Sequence, residues 1–188
     1  GDLMLREIQR YLEPEIDGLI GMDRLGEWDL SITTDQKTGK LAARLLNPNQ
    51  TQEEGFSRIT METVMGIPAI LVEIQGVNRR MFLDTGAGLS YLRKSLLSGN
   101  RRRGSKKDFY PLLGEFRTEL FDMDLQLGGS DTTGNPLEWS GQIGVLPEML
   151  ELLLPSGIDG ILGLDVLQHF DTVLRFGTGT ALFRGRSL

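Results

Sequence analysis

The stretch Met81-Phe82-Leu83-Asp84-Thr85-Gly86-Ala87-Gly88-Leu89-Ser90-Tyr91-Leu92 decides the fold of this 188-residue chain. Apolar residues lead into Asp84-Thr85-Gly86, small residues follow, and a second apolar segment begins at Leu89. A carboxylate at the end of a buried strand either becomes neutral or takes hydrogen bonds from its surroundings. The structural alternative is an Asp that begins an ordinary turn, since Asp-x-Gly is common in turns. The tripeptide alone favours the turn, and the rest of the chain decides between the two.

The composition restricts the chemistry that this chain can perform. It contains no Cys and a single His, His169. Thiolate catalysis, disulfides and Cys-based zinc sites are therefore excluded, and a Ser-His-Asp mechanism would depend on His169. The net charge of -6 argues against broad nucleic-acid binding. No apolar run approaches the ~18 residues of a membrane span. We predict no metal site and no cofactor, and we expect any catalysis to use carboxylates.

An internal repeat organises the chain. Residues Glu15–Leu25 match Gly157–Leu167 without a gap, at a constant offset (158 − 16 = 142). In each copy two short strands joined by a turn follow, which the sequence places at Trp28–Thr34 and Lys40–Leu45, then at Phe170–Phe176 and Thr180–Phe183.

The first copy lacks an upstream half that the second copy has. Strands are predicted at Ile67–Gln75 and Arg79–Asp84, with a turn between them, and they have no counterpart in the first copy. We therefore predict a partial lobe at residues 1–46, a linker at residues 47–59, and a complete lobe at residues 60–188. The basic residues at 101–107 are interpreted as a solvated loop.

Two motifs of the complete lobe resemble those of the retropepsin-like aspartic proteases. Phe82-Leu83-Asp84-Thr85-Gly86-Ala87 is followed by Gly160-Ile161-Leu162-Gly163-Leu164-Asp165, with 79 residues from Asp84 to Gly163. The resemblance covers roughly residues 60–186. It implies an all-β, mainly antiparallel fold: an acid-protease-like closed β-barrel lobe with short helices, plus an N-terminal partial lobe of the same type.

The resemblance also implies an aspartic endopeptidase that acts on polypeptide substrates. In such enzymes two carboxylates share one proton and hold the attacking water between them. Asp84 would supply one carboxylate, Thr85 would hydrogen-bond across two lobes, and Gly86 would let the backbone approach the carboxylate. Ala87 and Gly114 would contact substrate. Gly114 would lie at the tip of a flap within Lys106–Leu120, with Gly128-Gly129 as the alternative tip.

The chain contains a single Asp-Thr-Gly, so the source of a second carboxylate stays open. It could come from the mate in a homodimer, or from an upstream lobe or a separate fragment. The alternative function is a catalytically inactive peptide-binding or dimerisation module with the same fold. The resemblance favours a bacterial periplasmic or secreted protein.

Other polar and aromatic residues have structural interpretations. Asp23 and Asp165 occupy the same repeat position and are predicted to cap short helices. His169 is expected on the surface or in packing. Trp28 and Phe170, also at equivalent positions, are predicted to be core aromatics.

Overall fold

A computed structural model describes residues 6, 8–10, 17, 20, 22–35, 37–48, 53–111, 113–130, 132, 134 and 136–186. Three short α-helices lie wholly in these ranges: α1 (Met22–Leu25), α2 (Glu148–Leu153) and α3 (Leu164–Leu167). Residues 6, 8 and 9 are also helical. Single 3-10 turns lie at Lys94–Leu96 and Phe176–Thr178. The strands are β1 (Asp29–Thr34), β2 (Leu41–Leu46), β3 (Ser57–Val64), β4 (Ile67–Ile74), β5 (Val77–Leu83), β6 (Tyr91–Leu92), β7 (Arg102–Tyr110), β8 (Gly114–Ser130), β9 (Pro136–Val145), β10 (Gly160–Leu162), β11 (Asp171–Arg175) and β12 (Thr180–Arg184).

All of these strands belong to one mixed sheet, in the order β2-β1-β11-β12-β3-β4-β5-β10-β6-β9-β8-β7. A further pairing of β4 with β8 joins the two ends of the segment from β4 to β8 and closes it into a barrel. The pairs β5–β10 and β6–β9 are parallel, and the other pairs are antiparallel. The predicted all-β, mainly antiparallel fold with a closed barrel lobe is confirmed.

Local sequence signals explain the first hairpins of the barrel. The link between β4 and β5 is Gln75-Gly76, and both residues have positive φ, 55° and 75°. Such a two-residue turn matches the right-handed twist of the strands that it joins. Along β4 the buried residues Ile70, Val72 and Ile74 alternate with more exposed ones, so one face of the strand lines the core.

Pairing between β1 and β11 relates the two copies of the repeat by a local two-fold axis. Ser31 pairs with Val173, which lies 142 positions later, the offset of the repeat itself. The flanking pairs exchange equivalent positions, because Leu30 faces Leu174 and Ile32 faces Thr172. The strands of the first copy therefore extend the sheet of the second copy, and Leu30 and Ile32 join its main hydrophobic core.

A buried ion pair crosses the same junction. Asp29 is almost fully buried, and Arg175 Nε donates a hydrogen bond to its Oδ2 over 3.2 Å. The same guanidinium also donates to Glu53 and to the carbonyl oxygen of Pro48. One arginine thus binds the first copy, the connecting segment and the second copy together.

Several sequence-based expectations differ from the structure. The basic residues at 101–107 do not form a loop: all but the first lie in strand β7, where partners on β8 such as Glu119 pair with them. Gly128-Gly129 lies within β8 and is not a hairpin tip. In the first copy of the glycine motif, residues 15, 16, 18, 19 and 21 lie outside the described residues.

Some of the predictions for aromatic and capping residues agree with the structure, and others do not. Phe170 is buried and packs edge-on against Phe183, whereas Trp28 is 42% exposed at the start of β1. His169 is exposed, as expected. Gly163 is the N-cap of α3, so Asp165 lies inside the helix and the capping prediction for it is wrong.

Candidate functional site

The Asp84–Ala87 loop is held where three strands meet. Strand β10 lies between β5 and β6, parallel to the first and antiparallel to the second. The backbone N–H of Asp84 donates to the carbonyl oxygen of Leu162 over 3.0 Å, and that of Leu164 donates to Ala87 over 2.7 Å. These two bonds fix one end of the loop to β10 and the other end to the first residue of α3.

Glycines of the downstream motif allow the backbones of β5, β10 and β6 and the Asp84–Ala87 loop to lie close together. We call this arrangement the strand crossing. A Cβ on Gly160 would lie 2.1 Å from the carbonyl oxygen of Tyr91, and one on Gly163 would lie 2.7 Å from the carbonyl oxygens of Ala87 and Leu89. All three are backbone atoms, which cannot move aside as a flexible side chain could without shifting β6 or the loop before it. The spacing between the two motifs is therefore a packing requirement of the crossing itself.

A buried serine and an acid lock the second half of the loop. Ser90 is fully buried, and its hydroxyl donates to Asp165 Oδ1 over 2.7 Å while accepting from the N–H of Gly163 over 2.8 Å. Its own N–H donates to Asp165 Oδ2 over 3.0 Å. Burial raises the pKa of Asp165, although these hydrogen bonds oppose the shift. Asp165 thus connects α3 to the loop that follows Asp84.

Asp84 itself is half-buried at the end of β5. The N–H of Gly86 donates to its Oδ1 over 2.9 Å, and a Cβ on Gly86 would lie 3.2 Å from that oxygen. The backbone therefore approaches the carboxylate closely at Gly86, and the catalytic role that the resemblance implies for Gly86 stays a prediction. Thr85 is exposed, and its hydroxyl has no hydrogen-bond partner among the described residues. Ala87 makes backbone hydrogen bonds through its N–H and through its carbonyl oxygen.

An apolar groove of about 490 Å³ opens in front of Asp84 and Thr85. Residues of the first copy, the barrel and α2 line it together, among them Ile20, Leu30, Ile67, Leu153 and Leu174. In the described part of the chain, Asp84 supplies the single carboxylate that lines this groove. A groove of this size with apolar walls and one acid has the character of a binding site for extended or apolar ligands.

The hairpin of β7 and β8 contributes an aromatic residue to the groove. Tyr110 pairs with Gly114 at its tip, and the N–H of Leu113 donates to the carbonyl oxygen of Tyr110 over 3.0 Å. Tyr110 lines the groove, whereas Gly114 provides the positive φ of 76° that the tip needs. The contact of Gly114 and Ala87 with substrate stays a prediction. Sequence reasoning missed Tyr110, although its place four residues before that glycine marked it.

A hydrogen bond anchors this hairpin close to its tip. The hydroxyl of Tyr91 donates to Asp108 Oδ2, and the N–H of Phe109 donates to the other oxygen of the same carboxylate over 2.8 Å. Burial, and then the negative charge of Asp108, raise the pKa of the Tyr91 phenol. Phe116 packs against the Tyr91 ring at 6.1 Å, so the hairpin is fixed to β6 close to Asp84.

Within the described ranges, no group of three or more His, Asp or Glu side chains is arranged to hold a metal ion. No helix in these ranges is long and apolar enough to cross a membrane.

Comparison with solved structures identifies the architecture. Basic 7S globulin from soybean has a TM-score of 0.50 and 12% sequence identity, over 85% of this chain and 51% of the globulin chain. The fold is acid-protease-like. The chain thus spans about half the length of the globulin that it matches. A structure of edgp has a TM-score of 0.42 and 12% identity, over 61% of this chain and 38% of its own. No family model matches, and no curated protein matches.

The identification of the chain as a retropepsin-like protease is wrong. No family model matches, and basic 7S globulin, a solved structure that resembles the chain, is not named as a protease. The physical reason lies in the motifs. Asp84-Thr85-Gly86 and Ile161-Leu162-Gly163 build the strand crossing, so they follow from the fold and do not by themselves select one family.

Proposed function

We propose that this chain is a polypeptide-binding module with an acid-protease-like fold and no hydrolytic activity of its own. An extended apolar segment would lie in the groove between Asp84, Tyr110 and Leu153. The observation that carries the proposal is the groove itself, which is open, apolar and furnished with one carboxylate. Hydrolysis by an acid pair needs two carboxylates close enough to share a proton.

The apolar walls supply the driving force in this proposal. Leu153 is 62% exposed at the groove, and Ile67 and Met65, which also line it, are exposed as well. Covering such side chains contributes roughly 25 cal/mol per Å² of apolar surface removed from water. Binding would therefore depend on apolar side chains of the ligand more than on its charge.

A matched pair of variants on α2 tests the groove. Leu153 lines it, whereas the neighbouring Leu152, 86% exposed, faces away from it, beside Arg93 and Lys94. We expect Leu153→Asp to weaken binding to a synthetic library of unstructured peptides by about tenfold, as measured by fluorescence anisotropy. Leu152→Asp adds the same charge to the same helix and should bind like the parent chain. Equal losses in both variants would place the binding surface elsewhere.

A second candidate function is an aspartic endopeptidase whose other carboxylate comes from a partner. The Asp84 loop favours it, because Asp84 lines the groove and its carboxylate accepts a hydrogen bond from Gly86. Incubation with denatured casein between about pH 3 and pH 7 distinguishes the two candidates. Cleavage by the parent chain that Asp84→Asn abolishes would overturn the non-catalytic proposal. Peptide binding that survives Asp84→Asn, without cleavage by either protein, supports it.

A further inference from the structure

The outer edge of β2 is the repeat equivalent of an edge that is occupied elsewhere in the molecule. In the second copy, β12 pairs with β11 on one side and with β3 on the other. In the first copy, β2 pairs with β1, and its other edge carries no strand among the described residues. A two-fold axis relates the hairpins β1–β2 and β11–β12, so this edge of β2 corresponds to the edge of β12 that β3 occupies.

The strand register defines which residues would meet there. Arg44 faces Ser31, and Leu182 faces Val173, so Arg44 and Leu182 occupy equivalent places in their hairpins. Leu182 in turn pairs with Arg58 of β3 on its outer side. A strand equivalent to β3 would therefore bring its counterpart of Arg58 opposite Arg44.

The surface of β2 is suited to such a partner. Leu41 and Leu45 are exposed on it, and an unpaired edge presents backbone N–H and C=O groups to any strand that fits. The edge is continuous with the interface that joins the two copies, because β1 lies between β2 and β11. From that interface the apolar groove opens, lined by Leu30 and Leu174.

We propose that the edge of β2 binds a strand from a polypeptide segment of the same kind as residues 57–146, the first half of an acid-protease-like lobe. The strand adds antiparallel to β2, with its counterpart of Arg58 opposite Arg44. This inference is independent of peptide binding in the groove, because it concerns a different surface and backbone pairing.

A second intact copy of this chain cannot supply the strand. Its own β3 is paired on both edges, with β12 and with β4, over four residue pairs each. Releasing β3 would break both sets of hydrogen bonds and expose Ile59 and Met61, which are buried in the core. The partner is therefore a segment whose first strand is still unpaired.

The absence of Cys from the chain allows a direct test by disulfide trapping. Arg44→Cys, which is exposed, is equilibrated in glutathione buffer with a synthetic peptide of residues 57–64 that carries Arg58→Cys. Directly opposed antiparallel residues have Cα atoms about 4.5–5.5 Å apart, within the range of a disulfide. We expect this mixed disulfide to form at least about tenfold more readily than with a matched peptide that carries Thr63→Cys.

A second arrangement raises the effective concentration of the strand. Residues 53–146 are fused ahead of the full chain through a flexible linker, with Arg58→Cys in the added copy and Arg44→Cys in the original. We expect the internal disulfide to form and amide exchange along β2 to slow relative to the same fusion with Thr63→Cys. Equal trapping of both positions in both arrangements overturns the proposal. Preferred self-linkage of Arg44→Cys chains would overturn it too, since it would assign the edge to a second copy.

Discussion

The hairpin of β1 and β2 and the hairpin of β11 and β12 occupy equivalent places in the repeat, yet they differ in what covers them. Leu45 faces Leu30 in the first hairpin, and Phe183 faces Thr172, 142 positions after Leu30, in the second. Phe183 is fully buried, whereas Leu45 is 45% exposed. Strand pairing is therefore encoded within each hairpin, while burial depends on the segments that pack against it.

The two acids at the start of these hairpins differ in burial in the opposite direction, because the acid of the first copy is the more buried one. Asp29 and Asp171 are 142 positions apart, and each binds arginine. Asp29 is the more deeply buried of the two, because β11 and Arg175 cover it from the second copy. The first copy thus depends on the second for the burial of its charge, and the second does not depend on the first in this way.

The largest expected effect comes from shortening a buried side chain in the covered hairpin, β11–β12. Phe183→Ala removes a fully buried ring from the main core, and we expect it to lower the free energy of unfolding by about 4 kcal/mol. Leu45→Ala at the equivalent position should cost only about 0.5 kcal/mol. Urea unfolding followed by circular dichroism measures both. Similar losses at the two positions would mean that β2 is covered in solution, and the comparison would fail.

A smaller effect is expected from the paired acids. Asp29→Ala leaves Arg175 without its buried partner, and we expect a loss of about 3 kcal/mol in the free energy of unfolding. Asp171→Ala breaks bonds to Arg184 and Arg186 near the surface and should cost about 1 kcal/mol. The same urea titration applies. If Asp171→Ala is the more damaging change, the junction between the copies is not the sensitive point.

The smallest effect concerns an acid that the second copy buries by itself. Burial raises the pKa of Asp165 above 3.8, so the folded protein binds this proton more tightly than the unfolded chain does. The stabilisation that comes from protonating Asp165 is therefore fully present below pH 3.8, and it is lost as the pH rises through the pKa of Asp165 in the folded protein. The free energy of unfolding of the parent chain, minus that of Asp165→Asn, should fall between about pH 3 and pH 7.

Asp124→Asn, on an exposed position of β8, is the matched control for this titration. The pH dependence of Asp165→Asn is measured relative to this variant, which removes the same charge from the surface. A difference that rises with pH for Asp165→Asn would mean that the bonds from Ser90 outweigh burial, and it would reverse the sign of the shift.

Sequence reasoning predicted the backbone architecture well because its signals are local or periodic. The strands around the Gln75-Gly76 turn, the hairpin that ends at Gly114, and the all-β fold follow from turn residues and alternation. It failed for the basic segment at 101–107, because charges on an edge strand resemble charges in a loop until their partners on β8 are known. It also failed for Trp28, since equivalence in the repeat does not ensure equivalent covering.

What the sequence alone determined is the strand crossing around Asp84, because the glycines and the apolar pairs that it needs are fixed residue types at a fixed spacing. The repeat offset, too, is a property of sequence. Only the tertiary structure decided that β1 pairs with β11 about a local two-fold axis and that Tyr110 and Leu153 reach the groove. The same holds for the edge of β2 that has no partner strand among the described residues. These features join residues far apart in the chain, and burial at such junctions depends on both partners at once.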